Sequence, residues 1–392
     1  MLARFKAFDW IFISAVFALA VFGLLMVYSA SYPAAINSGE PATAVVSRQL
    51  MFFVIGIVLF VVIMNFRYQF FKKLSPLIII ASLILLLLVP IIGLEDKGAT
   101  RWISIAGFTI QPSEFVKLGV IIYLASVYSK KHKYINRFIQ GVLPPLVIVV
   151  FLFTLILLQP DLGTAVVILM VTGIIIFLSG ARLRHLIMLG ALSLTSVAIL
   201  ITQEEYRMNR IFAFIDPFAH QDTHGHQLIQ SYYAIANGGV TGTGFGQSVQ
   251  KLGYLPEPHN DFILSIISEE TGILGVGFVI LCFLVIGFRG IVIGSRSKSV
   301  FGSLLAYGIV FMFMFQFIFN AGAVSGTLPI TGITLPFVSA GGSSLIVSFV
   351  AAAIVANISR QNTKEQNQEH VEDVEDEEPT LTVVQNGKMG AK

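Results

Sequence analysis

The sequence predicts an all-α, polytopic integral membrane protein with about ten transmembrane helices, and three observations carry that prediction. Hydrophobic residues make up 55% of the 392-residue chain and charged residues only 12%, about half the charged share of a soluble globular protein. Apolar runs of close to 20 residues recur along the chain. At about 1.5 Å of rise per residue such a run spans a hydrocarbon core about 30 Å thick. The short connections between runs carry Lys and Arg on alternate sides, the pattern of a topology sorted by positive charge. The first two observations argue against a soluble enzyme. The lone cysteine, Cys282, sits in an apolar run and leaves no disulfide framework and no cysteine zinc site.

In chain order the expected spans cover residues 10–29, 50–66, 74–93, 112–128, 142–158, 163–179, 186–201, 262–287, 300–324 and 342–358. Arg4 and Lys6 precede the first, as in a signal peptide. No small-residue cleavage site ends it and further spans follow, so it is expected to remain as an anchor. Basic residues mark the even-numbered connections: Arg67, Lys72 and Lys73; Lys130, Lys131, Lys133 and Arg137; Arg182 and Arg184; Arg289, Arg296 and Lys298. Both termini are therefore expected in the cytoplasm, with the odd-numbered connections facing outward. Residues 1–358 form the membrane domain, with a large extracellular loop at 202–261 between the seventh and eighth spans. A structureless connection of that size is usually functional. Residues 359–392, with acids clustered from Glu372 to Glu378, lack the apolar content to order themselves and are expected to form a disordered, acidic cytoplasmic tail.

Polar residues collect on the outward side in four places. In the first, Arg101 offers a guanidinium for phosphate and Trp102 an aromatic face for a sugar or lipid headgroup. An interfacial Trp beside a snorkelling Arg is the alternative. Just beyond, Glu114 and Lys117 stand i,i+3 after a helix-starting Pro112, either as a buried ion pair or as working groups. The second place is Gln159-Pro160-Asp161 between two spans, where Asp161 is either a functional carboxylate or a helix cap. The third is the long loop, where Arg207 and Arg210 accompany the glycine-rich run Gly238–Gly246, whose backbone N–H groups could approach phosphates. No GK[ST] follows, so a nucleotide site is not supported. His220, His224 and His226 lack an acid at metal-ligand spacing and read as loop histidines. The fourth is Pro256-Glu257-Pro258-His259-Asn260-Asp261. A helix starting there would align Asp261, Ser265, Ser268 and Glu269 in a polar stripe running about 12 Å into the membrane. Hydrocarbon penalises such carboxylates by about 2.5 kcal/mol or more, so the stripe must line a groove or meet polar partners.

The ordered motifs GATRWISIAGFTIQPSEFVKL, QPDLGTA, GGVTGTGFGQS, PEPHNDFILSIISEETG and LPITGITLPFVSAGGSS resemble the SEDS proteins, the FtsW/RodA/SpoVE family of peptidoglycan polymerases. The resemblance covers roughly residues 10–358, and its FtsW branch of Gram-positive type fits best. It implies an inverting glycosyltransferase at the outer face of the bacterial cytoplasmic membrane. Such an enzyme polymerises lipid II into β-1,4 glycan and releases undecaprenyl diphosphate, during cell division or shape maintenance. Asp261 matches the family's essential acid and takes the role of general base. Arg101, Lys117 and Arg210 would steady the departing diphosphate, and Trp102 would hold a sugar or lipid. Glu114, Asp161, His259 and Glu269 complete the expected substrate-binding set. No metal ligands and no obligatory cofactor are expected, with room left for a divalent cation. The implied partners are lipid II and undecaprenyl-linked glycan, a class B penicillin-binding protein and other division or elongation proteins, and no nucleic acid. A lipid II flippase or a non-catalytic division scaffold are the rival readings. The first is disfavoured by the absence of paired, Gly/Pro-broken spans. The second has no use for carboxylates beneath a basic, aromatic loop.

Overall fold

The computed structural model describes residues 7–377 apart from 38, 40, 97–98, 106, 132–133, 204 and 224. Helices α1 (Trp10–Asn37), α2 (Ala44–Asn65) and α3 (Gln69–Ile92) lead into strands β1 (Gly93–Asp96), β2 (Ala99–Ile105) and β3 (Phe108–Ile110). Next come α4 (Pro112–Lys131), α5 (Leu143–Leu158), α6 (Leu162–Leu178), α7 (Leu183–Thr202), α8 (Glu205–Ile215) and α9 (Gly225–Gly238). The chain closes with α10 (Ile263–Ser295), α11 (Val300–Val324) and α12 (Gly342–Glu377). Every expected span therefore coincides with a helix. Among the described residues, seven helices are long and apolar enough to cross a membrane, and α6 and α7 are apolar but shorter. α4 falls outside both sets and carries Glu114, Lys117, Lys130 and Lys131.

Three features depart from the expectation. The connection before α4 is not helical or loose: β1, β2 and β3 pair in order as an antiparallel meander, fed by the β-branched and aromatic residues of Thr100-Arg101-Trp102-Ile103-Ser104-Ile105. The long connection is not structureless, since α8, α9 and short 3-10 turns at Phe218–His220 and Gln250–Leu252 occupy much of it. The tail does not lose its structure at residue 359, because α12 runs on to Glu377. Docking supplies what composition lacks there. Asn362 donates to the Ile293 carbonyl at 2.8 Å, Ser359 accepts from the Asp9 N–H at 3.1 Å, and the Arg360 guanidinium lies 5.4 Å from the Phe8 ring centre. Glu378 and the residues after it lie outside the described residues.

α12 is the centre of the bundle, with 83% of its apolar stretch buried against 22% for α2. Lipid tails are as apolar as side chains, so helices in a membrane associate through close packing, and small residues permit it. Ala351, Ala352, Ala353 and Ala356 are fully buried along α12. Phe349 fills the space beside them, its ring 5.7 Å from Phe17 and Phe53 and 6.4 Å from Phe60. Gly56 of α2 faces that ring so closely that a Cβ there would sit 2.4 Å from it. At the opposite end, Asp9 and Arg289 form an ion pair that ties the chain's start to α10.

Candidate active site

One cavity of about 480 Å³ gathers residues from the meander, the starts of α4 and α6, α8, α9, the segment before α10, and α11 with the chain after it. Seven of the expected site residues line it: Arg101, Trp102, Glu114, Lys117, Asp161, Arg210 and Asp261. His259 and Glu269 do not.

The meander explains how Arg101 and Trp102, adjacent in a strand, both reach the cavity. Alternation would send them to opposite faces. Leu94 pairs with Trp102 while its neighbour Glu95 pairs with Thr100, so Arg101 is the extra, unpaired residue of a bulge, which re-aims side chains. Its guanidinium is then held by main chain, Nε donating to the Gln159 carbonyl at 3.0 Å and Nη2 to that of Pro160. The second motif thus orients the first. Lys117 and Glu114 form a buried ion pair at 2.8 Å on the cavity wall.

Asp161 is the N-cap of α6, accepting from the Thr164 N–H at 3.1 Å. Its other oxygen accepts from Ser113 at 2.8 Å and Gln111 at 3.0 Å. Capping and cavity lining therefore coincide in one carboxylate, whose oxygens are already engaged. Arg210 reaches the cavity from α8 and donates to the Ile330 carbonyl at 3.1 Å.

Asp261 is not on the helix. α10 begins at Ile263 with Phe262 as its N-cap, so Asp261 does not belong to the polar stripe that sequence spacing suggested. The backbone there is instead clasped by the late motif and by Asn320 of α11. Ala340 N–H donates to the His259 carbonyl at 2.8 Å, Ser339 Oγ to the Asn260 carbonyl at 2.6 Å, and Asn320 Nδ2 to the Asp261 carbonyl at 2.7 Å. The same Asn320 amide donates to the Ile333 carbonyl at 2.8 Å. Three consecutive carbonyls are thereby pinned before α10 starts. This explains why His259 belongs to the scaffold: its main chain is used, and its side chain does not line the cavity. Glu257 stands with φ +49° at the cavity edge, its carboxylate accepting from the Asn260 amide at 3.0 Å. Backbone strain of this kind collects at functional sites.

Ser265 and Glu269 of the stripe meet polar partners away from the cavity. Ser265 contacts Ser231 of α9 at 2.7 Å. Glu269 accepts from Ser248 and from the N–H groups of Val249 and Gln250 at 3.2 and 3.3 Å, capping the turn that holds Lys251. Next to it, Glu270 pairs with Lys251 Nζ at 2.6 Å, and Ser29 of α1 donates to the same carboxylate at 2.7 Å. The glycine-rich run also differs from its expected role. Its backbone lies against a break in α10 at Gly272 (φ +64°), with Thr243 and Gly244 N–H donating to the carbonyls of Glu269 and Glu270 at 2.9 and 3.0 Å. A Cβ at Gly242 would lie 2.2 Å from the Glu270 carbonyl. At Gly238 and Gly242 the missing side chain admits backbone to backbone.

Gln111, Gln316, Asn320 and the Gly332–Thr334 turn are site residues that motif reading left without a role. Amides give no charge signal, and their spacing to Asp261 is set by tertiary packing. Among the described residues no three His, Cys, Asp or Glu converge as a metal site would need. His220 and His226 each contact a main-chain carbonyl, and His224 lies outside the described residues.

The FtsW/RodA/SpoVE family model, described as a cell cycle protein, matches residues 9–364. The chain belongs to this family. Among its relatives, stage V sporulation protein E of Bacillus subtilis is 41% identical over 344 residues, covering 87% of this chain and 94% of that protein. The "Probable peptidoglycan glycosyltransferase FtsW" of the same species is 42% identical over 366 residues, covering 90% and 91%. Among solved structures, a chain from a study of polymerization and crosslinking by a peptidoglycan synthase complex superposes with a TM-score of 0.74 at 26% identity, covering 91% of this chain and 98% of that one. The rod shape determining protein RodA of Thermus thermophilus gives 0.68, also at 26% identity, covering 91% and 97%. Family and fold together make this a multi-pass membrane protein, built as the SEDS architecture is.

Proposed function

We propose that this protein is a peptidoglycan glycosyltransferase that polymerises lipid II at the outer face of the cytoplasmic membrane. The observation that carries the reading is the cavity itself, where Asp261 stands with Arg101, Lys117 and Arg210, drawn from four separate segments. Transfer of a sugar from a lipid diphosphate needs a base for the acceptor hydroxyl and positive charge for the leaving group. Asp261 takes the proton from the acceptor's 4-hydroxyl as that oxygen attacks the anomeric carbon. The C–O bond to diphosphate breaks on the opposite side, and the cations stabilise the charge that develops there. Attack from one face with departure from the other inverts the α-linked donor into a β-1,4 bond. Undecaprenyl diphosphate is released.

One carboxylate suffices in this scheme, because diphosphate leaves without the strong acid a glycosidase requires. The engaged oxygens of Asp161 and the Glu114–Lys117 pair suit holding and screening better than proton transfer. A divalent cation, where used, would arrive on the diphosphate. The family's naming and the likeness to a chain of a peptidoglycan synthase complex support a class B penicillin-binding protein as partner. Two stretches, 248–251 and 295–298, have the Ser-x-x-Lys spacing of a transpeptidase nucleophile. In the first, Lys251 is bound to Glu270 and Ser248 to Glu269, so they do not act as a nucleophile pair; in the second, Ser295 donates to the Val292 carbonyl at the end of α10. Incubation of the purified chain with lipid II and such a partner tests the reading. Glycan polymer is expected, and its absence with a folded complex would refute it.

A further inference from the structure

Gln316 lies on α11 one turn before Asn320, on the same face of the helix. It is 2% exposed and lines the cavity that holds Asp261. Its carboxamide hydrogen-bonds no described residue. A carboxamide has two donors and a two-lone-pair acceptor, and buried polar side chains as a rule find partners. The amide nitrogens of its neighbours are committed: Asn320 Nδ2 to two carbonyls, Gln111 Nε2 to Asp161 and Gln159 Nε2 to the Leu86 carbonyl. The open direction for Gln316 is the cavity.

We propose that Gln316 is a substrate-binding residue that pairs with an acetamido group on a sugar at the reaction centre. The inference rests on the reading of the chain as a peptidoglycan glycosyltransferase, whose substrate sugars are N-acetylated. Carboxamide and acetamido group are mutually complementary, since each can donate an N–H to the other's carbonyl oxygen. A phosphate would use only the donors of Gln316, and Arg101, Lys117 and Arg210 already serve that charge. The Asn320 clamp on the Asp261 carbonyl fixes the spacing between this amide and the carboxylate. Recognition of the acetamido group therefore registers the neighbouring reacting atoms against Asp261. Both sugars flanking the new bond carry such a group.

The test is steady-state polymerisation by the full-length protein with its transpeptidase partner. It uses lipid II and two lipid II analogues, each lacking the acetyl group on one of the sugars. Gln316→Leu is expected to lower kcat/KM on lipid II roughly 10- to 100-fold with the melting temperature unchanged, and Gln316→Asn to restore part of it. Wild type should lose a similar factor on one analogue, and on that analogue Gln316→Leu should lose no more than about twofold further. The analogue that behaves this way names the sugar. Wild-type kinetics in Gln316→Leu, or fully additive losses on both analogues, would overturn the inference. Should Gln316→Leu fail to fold, wild type that uses both analogues as well as lipid II overturns it equally. A wild-type complex that makes no polymer from lipid II refutes the glycosyltransferase reading and takes this inference with it, whereas an active complex indifferent to Gln316 and to both acetyl groups overturns the inference alone.

Discussion

Asp261 and Arg101 show how single residues divide the work. Asn at position 261 keeps the shape and the backbone clasp but cannot take a proton at neutral pH. Asp261→Asn should therefore fold normally, retain lipid II binding, and lose polymerisation by roughly 100-fold or more, measured as glycan product per folded molecule. In the proposed reaction Arg101 meets charge that grows as the diphosphate departs, so Arg101→Ala should lower kcat. Trp102 offers mainly contact area, so Trp102→Ala should raise the apparent KM more than it lowers kcat, with Trp102→Phe partly tolerated. A merely interfacial Trp would instead reduce yield and leave specific activity intact, and unchanged kinetics in both alanine variants would remove the bulged strand from the site. Charge was what sequence reading could use at this scale. It found seven of the cavity's lining residues because acids and bases at membrane depth are conspicuous. It missed Gln316 and Asn320, since an amide on an apolar helix announces nothing until its neighbours are known. It misplaced Glu269 because counting two turns, i,i+8, on from Asp261 presumed a helix that in fact starts two residues later.

Elements rather than residues explain why the cavity keeps its shape. The turn 331–341 and Asn320 of α11 together clasp residues 259–261, the hairpin 159–161 orients Arg101, and the glycine-rich run is stitched to the break in α10. That stitching depends on the buried Lys251–Glu270 pair, both side chains less than 5% exposed. Removing one partner of a buried pair strands the other charge, at a cost of about 3–5 kcal/mol. Lys251→Met should lower the thermal stability of the purified protein well beyond Arg296→Ala, an exposed change. Lys251→Met combined with Glu270→Gln should recover much of the loss, because no unpaired charge remains. Equal melting temperatures for the single and double variants would contradict the latch. Helices were legible from apolar length alone, since a membrane span must satisfy its own backbone. The meander was not, because strands of four, seven and three residues of mixed polarity between two spans carry too weak a pattern. Neither was the order of α12 past residue 358, which comes from docking on α10 and the chain's start.

For the whole molecule the account makes one chain responsible for polymerisation and leaves crosslinking to a partner. α7 has no buried residues along its described length apart from His185, while α12 is enclosed, so the bundle is packed firmly around α12 and thinly at its α7 edge. A class B penicillin-binding protein is expected to co-purify under mild conditions and to raise polymerisation severalfold. Full activity alone, with no association, would contradict regulation by complex formation for this member. The central claim is that Asp261, held by its clasped backbone in the cavity it shares with Arg101, Lys117 and Arg210, is the base for glycan transfer. The most direct measurement compares lipid II polymerisation by the purified wild-type and Asp261→Asn complexes, matched for folded protein and for lipid II binding. The account predicts long glycan strands from the first and none above background from the second. Near-normal polymer from Asp261→Asn would contradict it.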